Sequence, residues 1–325
     1  MHTLATPLIK KGNAAALLRL YNQKLQHSLH SLLTSAERGL KQNLDDLHTL
    51  VESLPTGDRL QPAVYEAHHH LATALRSGSR AGAQEALQRL EEALLLNPPE
   101  PGIQIDTIGG YRHQEGVIQT LVSDDVLGGM VLALAPGELE RERAHCRAAM
   151  QLIAAHVTDM DEEMASLLTR INLFAGTQKG HGVIGASDVR VFGEVFLRGN
   201  LYDMSPLAYY CEHTVHETSH YYLHALMAFD PMVLNDPAER YPAPIRQDPR
   251  PMFGIYHATF VLSRMVWVFD HIALATGDPA FAEALATFRE QFRNGYKVVC
   301  AHGRLSPLGQ QVVSGYSTML GELAA

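Results

Sequence analysis

Apolar positions recur at intervals of three and four from residue 12 to about residue 97, the period of helices that bury one face. In Ala81–Leu95, for instance, Ala86, Leu87, Leu90, Ala93 and Leu94 fall on one side. Breaks come at Leu54-Pro55-Thr56-Gly57-Asp58 and Ser77-Gly78-Ser79, and a firm stop at Asn97-Pro98-Pro99-Glu100-Pro101. The pattern then changes. Gly102–Ile108, Gly116–Val122 and Gly129–Leu134 are short apolar or β-branched runs set off by glycines, which predicts a small antiparallel sheet. Helices are expected over Glu138–His156 and Asp161–Phe174. A glycine-punctuated stretch, Gly176–Ser187, leads into another expected strand, Val189–Arg198. From there helices return over Pro206–Phe229, Pro251–Thr276, Pro279–His302 and Pro307–Leu323, each opened by a proline that suits a first helical turn. The fold class expected is α+β, mainly α-helical. An N-terminal helical region, 1–100, precedes a catalytic region, 101–325, whose site lies between two helices of the C-terminal half.

Bulk properties narrow the function classes. The chain has 325 residues, 46% hydrophobic and 19% charged, which is globular rather than disordered composition. A formal charge of −9, with Lys and Arg scattered, argues against nucleic-acid binding. The longest apolar run, around Phe260 to Ala275, is interrupted by Arg264, Asp270 and His271, so no membrane span is expected. The opening MHTLATPLIKKG lacks the features of a signal peptide. Three cysteines, Cys146, Cys211 and Cys300, at unrelated spacings fit a reducing, cytoplasmic setting. Of the 18 histidines, the triplet His68-His69-His70 reads as a solvated helix face.

Chemistry concentrates in His216-Glu217-Thr218-Ser219-His220. Residues four apart on a helix stand about 40° apart around its axis, so two imidazoles there can share one cation. Glu217 lies one step round, placed for a catalytic role. The flanks Tyr209, Tyr210, Val215, Tyr221, Tyr222, Leu223, Leu226 and Met227 are apolar, so the helix is expected to be buried, where unpaired ionisable groups are costly. His213 and His224 share the face and are expected to support rather than ligate. The metzincin extension is excluded, because Leu223 and Leu226 stand where a Gly and a His would be needed. Glu239, the carboxylate a gluzincin would use, sits in a Pro- and Asp-rich loop. His257, near the start of the next long helix, is the better third ligand.

From Tyr241 the chain reads YPAPIRQDPRPMFGIYH. A HExxH helix, a P-x-R-x-D-P-R-P loop and a G-x-x-H that opens a helix together resemble the HExxH-type peptide β-hydroxylases. These are iron- and 2-oxoglutarate-dependent enzymes associated with ribosomally made, post-translationally modified peptides. The resemblance spans roughly Thr177 to His271, and Ile245 stands where the family's loop carries a Trp. It implies Fe(II) held by His216, His220 and His257, with Asp248 as the alternative carboxylate ligand. It implies that Arg250, then Arg246, holds the distal carboxylate of 2-oxoglutarate, since an Arg fork matches a carboxylate; either arginine could instead be paired with Asp248. The expected reaction consumes O₂ and 2-oxoglutarate, yields succinate and CO₂, and hydroxylates an unactivated C–H of a peptide side chain or amino acid unit. The alternative is a zinc metallopeptidase with Glu217 as general base. The N-terminal helices are left with two roles, recognising a leader peptide or building a homodimer.

Overall fold

The computed structural model describes residues 1–124, 131–176, 184–199, 205–245 and 248–322. In chain order the elements are α1 (Asn13–Leu40), α2 (Asp45–Glu52), α3 (Pro62–Arg76), α4 (Arg80–Leu94), β1 (Gln104–Thr107), α5 (Glu115–Asp124), β2 (Val131–Ala133), α6 (Pro136–His156), α7 (Thr158–Leu167), β3 (Arg170–Gly176), β4 (Gly185–Ser187), β5 (Glu194–Arg198), α8 (Pro206–Met227), α9 (Met252–Thr276), α10 (Pro279–His302) and α11 (Pro307–Glu322). The protein is α+β and mainly helical, as expected. Two compact units divide it: Met1–Leu17 with Ala144–Met164 and Tyr202–Ala325, and Leu18–Arg143 with Ala165–Leu201. The proline-rich stretch 98–101 falls inside the second.

That second unit carries the sheet, which is mixed rather than antiparallel. β1, β3 and β5 run parallel, while β2 pairs with β3 and β4 with β5 in the antiparallel sense. Parallel neighbours need long crossovers. The helices between β1 and β3 provide one, whereas the glycine spacing suggested hairpins. The run expected as a strand at 116–122 is α5. Its Val117 is buried with Ile108, Phe174, Val191 and Phe196, and Ile118 packs against them, so the two share one helical face. The helix expected over Asp161–Phe174 ends at Leu167, and β3 follows. Ile171, Leu173 and Phe174 are all buried there, and an apolar run this short reads alike as helix or central strand. The strand expected from Val189 begins only at Glu194, after a short 3₁₀ turn and Gly193. Gly193 takes φ +99°, and its carbonyl accepts the Thr169 and Arg170 amides at 2.8 and 3.2 Å. Most of the glycine-punctuated stretch, 177–183, lies outside the described residues.

In the other unit the four expected C-terminal helices are present with nearly the expected bounds. Ser205 caps α8 through the Ala208 amide at 3.1 Å, and Asp278 caps α10 through the Ala280 amide at 2.9 Å. α9 packs against both α8 and α10 and ends at Gly277, φ +66°. By length and composition α9 would suffice to cross a membrane. Here it is a core helix, burying Ile255, Tyr256, Phe260, Leu262, Met265 and Phe269 among others.

Candidate metal centre

α8 is buried around most of its circumference: Tyr209, Tyr210, Val215, Tyr221, Tyr222, Leu223 and Leu226 are each 2% exposed or less. His213, His216, His220 and His224, spaced by three and four residues, form a row within about 80° of arc at 100° per residue. All four are half-buried. The Nε2 atoms of His216 and His220 stand 3.2 Å apart. Two nitrogens bound to one ion at about 2.1 Å, with an angle of roughly 90–109° between them, would be separated by about 3.0–3.4 Å. The pair is thus already at chelating distance. Burial pushes the His216 imidazole down to about 4 and His213 to about 3. Burial, reinforced by neighbouring imidazoles, takes His220 well below its ordinary value. Neutral imidazole is the form that ligates a metal.

Two donor groups emerge on this row, each with its ligand atoms within 4.8 Å of one another: His216 with Glu217 and His220, and His220 with His224 and His257. Glu217 is 4% exposed, so a carboxylate has been taken out of water beside the imidazole pair. His257 comes from the second turn of α9, under the ring of Phe253 (centroids 4.3 Å apart), and lies 5.8 and 5.4 Å from the rings of His220 and His224. Burial lowers it to about 3, with His224 adding to the effect. Its Nε2 meets the thioether sulfur of Met227 at 3.0 Å. The sequence expectation thus divides: His257 reaches His220, but its donor group includes His224 rather than His216. His224, read as a supporting residue, is a member of the cluster, and Met227 was read only as core. The repeated four-residue step from His216 to His220 to His224 was the signal for the first.

The middle of the motif faces away from the donors. Thr218 and Ser219 donate to the carbonyls of Thr214 and Val215, both at 2.7 Å. Ser219 Oγ also accepts from Nε of Arg264 at 3.2 Å. Arg264 is wholly buried, ion-paired with Glu163 and hydrogen-bonded to the Pro7 carbonyl at 3.4 Å. Its guanidinium lies over the rings of Tyr222 (4.7 Å) and Phe260 (5.3 Å). Tyr222 donates to the Leu4 carbonyl at 2.9 Å. The Leu4 and Pro7 carbonyls thus reach α8 and α9. Nothing in the pattern of the chain announced this clamp.

The remaining candidates are engaged elsewhere. Arg250 pairs with Asp248 at 2.7 Å, the alternative weighed for it, and the two are 43% and 60% exposed. The backbone of Arg250 forms a β-bridge with Tyr241. Arg246 lies outside the described residues. Glu239 accepts from Tyr241 (2.6 Å), Asn235 (3.3 Å) and Arg304 (3.1 Å), which ties it into its loop rather than to a metal. In the triplet, His68 meets Ser28 at 2.8 Å and His70 meets Glu66 at 3.0 Å. His68 is buried enough that its imidazole falls to about 4, so that residue is not on a solvated face. No family model matches the chain. No curated protein matches it either.

Proposed function

We propose that this chain is a metal-dependent oxygenase, with Fe(II) held by His216, His220 and His257 and 2-oxoglutarate as co-substrate. The observation that carries the metal is the 3.2 Å approach of two imidazole nitrogens one helical turn apart, with the ring of His257 5.8 Å from that of His220. The donor set fits the ion, since imidazole suits Fe(II). When bound, Fe(II) would couple oxidative decarboxylation of 2-oxoglutarate by O₂ to hydroxylation of a C–H bond, releasing succinate and CO₂. The choice of this chemistry rests on the resemblance carried by the HETSH helix, the PIRQDPRP loop and the GIYH helix start.

The chain's own residues would bind and orient. Glu217, buried beside the pair, would order the iron-bound water or hold the amine or amide of a peptide or amino acid substrate. Arg250 would exchange Asp248 for the distal carboxylate of 2-oxoglutarate; the exchange costs little because the present pair is exposed. Arg246 is the second cation for that role. His257 lies against the tilted ring of Phe253, centroids 4.3 Å apart. The three thiols, two of them buried, suit the reducing cytoplasm. No nucleic acid or membrane partner is proposed, and the N-terminal helices are left for leader-peptide recognition or a homodimer.

A second reading has one observation in its favour. The Glu217 carboxylate within 4.8 Å of both imidazole donors is where the general base of a zinc peptidase would stand. Anaerobic loading with Fe(II), followed by 2-oxoglutarate, ascorbate and air, separates the two. Succinate formation that is absent from His216→Ala supports the oxygenase, and peptide cleavage by zinc-loaded protein supports the peptidase. Full metal content in both His216→Ala and His257→Ala would sink either one.

A further inference from the structure

The two donor groups, one on α8 and one shared between α8 and α9, differ in chemical character. Toward its N-terminal end the row offers two imidazoles and a carboxylate oxygen; toward its C-terminal end it offers three imidazoles and a thioether. Carboxylate oxygen suits harder divalent ions, while thioether sulfur selects soft ones, cuprous ion above all. The geometry points to a soft-metal position formed by His220, His224, His257 and Met227, which would take Cu(I).

Three observations support it. The donor nitrogens of the three histidines already lie within 4.8 Å of one another, and two donors on one ion at about 2.1 Å can be at most roughly 4.2 Å apart, so small side-chain rotations close the group. The Met227 sulfur sits 3.0 Å from His257 Nε2, close enough for both to reach one ion. Met227 occupies the last residue of α8, three positions after His224, which puts it on the same face. His220 belongs to both groups, and one nitrogen serves one ion at a time. Occupation by Cu(I) therefore excludes the ion proposed for catalysis.

The test is an anaerobic titration of metal-free protein with Cu(I) in competition with a chromophoric Cu(I) chelator, paired with a Co(II) titration followed by visible absorption. Wild type should bind one Cu(I). Met227→Leu conserves volume, so its thermal melt should be unchanged. It should bind Cu(I) about tenfold or more weakly, at least what an outer-shell ligand partner contributes, while its Co(II) affinity stays the same. His216→Ala should keep Cu(I) and lose Co(II), and His220→Ala should lose both. X-ray absorption at the copper edge should show one sulfur neighbour in wild type and none in Met227→Leu. Equal Cu(I) affinity and no sulfur scattering in the two proteins would overturn the proposal, as would loss of Cu(I) in His216→Ala. Loss of Co(II) binding alone in wild type would count against the catalytic site and leave this one standing.

Discussion

Arg264→Met is the substitution whose outcome the structure fixes most tightly. Arg264 is 0% exposed and Glu163 2%, so removing the cation leaves a carboxylate in the core with no counter-ion. It also strands acceptors on Ser219 and Pro7. Breaking a buried pair from one side costs about 3–5 kcal/mol, a large part of the roughly 5–15 kcal/mol that holds a typical protein folded. The intact pair is nevertheless not a large source of stability. Burial raises the Glu163 carboxyl, and Arg264 pulls it back only in part. A folded-state value above the unfolded one means that this group's contribution is present in acid and lost as pH rises through the folded value. Replacing both partners with apolar residues should therefore recover much of the loss. Urea unfolding of the metal-free protein at pH 7 should place Arg264→Met about 3–5 kcal/mol below wild type, with Glu163→Leu/Arg264→Met clearly above the single variant. The single variant's deficit should narrow at pH 5, where Glu163 can take up a proton. A single variant within about 0.5 kcal/mol of wild type, the usual range for surface changes, would refute the reasoning, and so would a double variant no better than the single.

Three further outcomes are expected. His68 is held neutral by burial at about 4 against an ordinary 6.5, so its contribution is present above 6.5 and lost as pH falls toward 4; at about 1.4 kcal/mol per unit this amounts to roughly 3 kcal/mol, and His68→Gln should flatten the acid limb of a stability–pH curve by up to that much. A Cβ on Gly309 would run into the carbonyl oxygen of Met232, so Gly309→Ala should lower stability by about 1–3 kcal/mol in urea unfolding, with no loss of metal affinity. Metal in hundredfold excess over its dissociation constant should stabilise wild type by about 2.7 kcal/mol, read as a rise in melting temperature reversed by a chelator; His220→Ala should show no rise.

The legibility of the chain followed the length of its elements. Helices of twenty residues or so, such as α8 and α10, repeat their period often enough to be read, and proline and capping residues marked their starts. The sheet was harder, because GVIQTLV and RINLFAG are too short for period to separate helix from strand; tertiary packing decided them differently. Strand direction depended on crossovers that glycine spacing does not encode. In the site, the spacing of His216 and His220 fixed their relation without reference to the rest of the fold, and their 3.2 Å approach is what that spacing demands. The place of His257 depends on how α9 docks on α8, which is why it was expected beside His216 and lies instead between His220 and His224. Arg264 looked like an interruption of an apolar helix; its role depends on Glu163 and Pro7, both far away in sequence.

The discontinuity of the unit that carries α8 and α9 has a consequence for biosynthesis. Its parts, Met1–Leu17, Ala144–Met164 and Tyr202–Ala325, are translated at widely separated times. The carbonyls of Leu4 and Pro7 leave the ribosome long before Tyr222 and Arg264 exist to receive them. Those two carbonyls therefore gain these partners only once α8 and α9 have emerged, and the cluster of His220, His224 and His257 is complete only after His257 has been added. If an ion binds there as proposed, its insertion would follow the synthesis of α9.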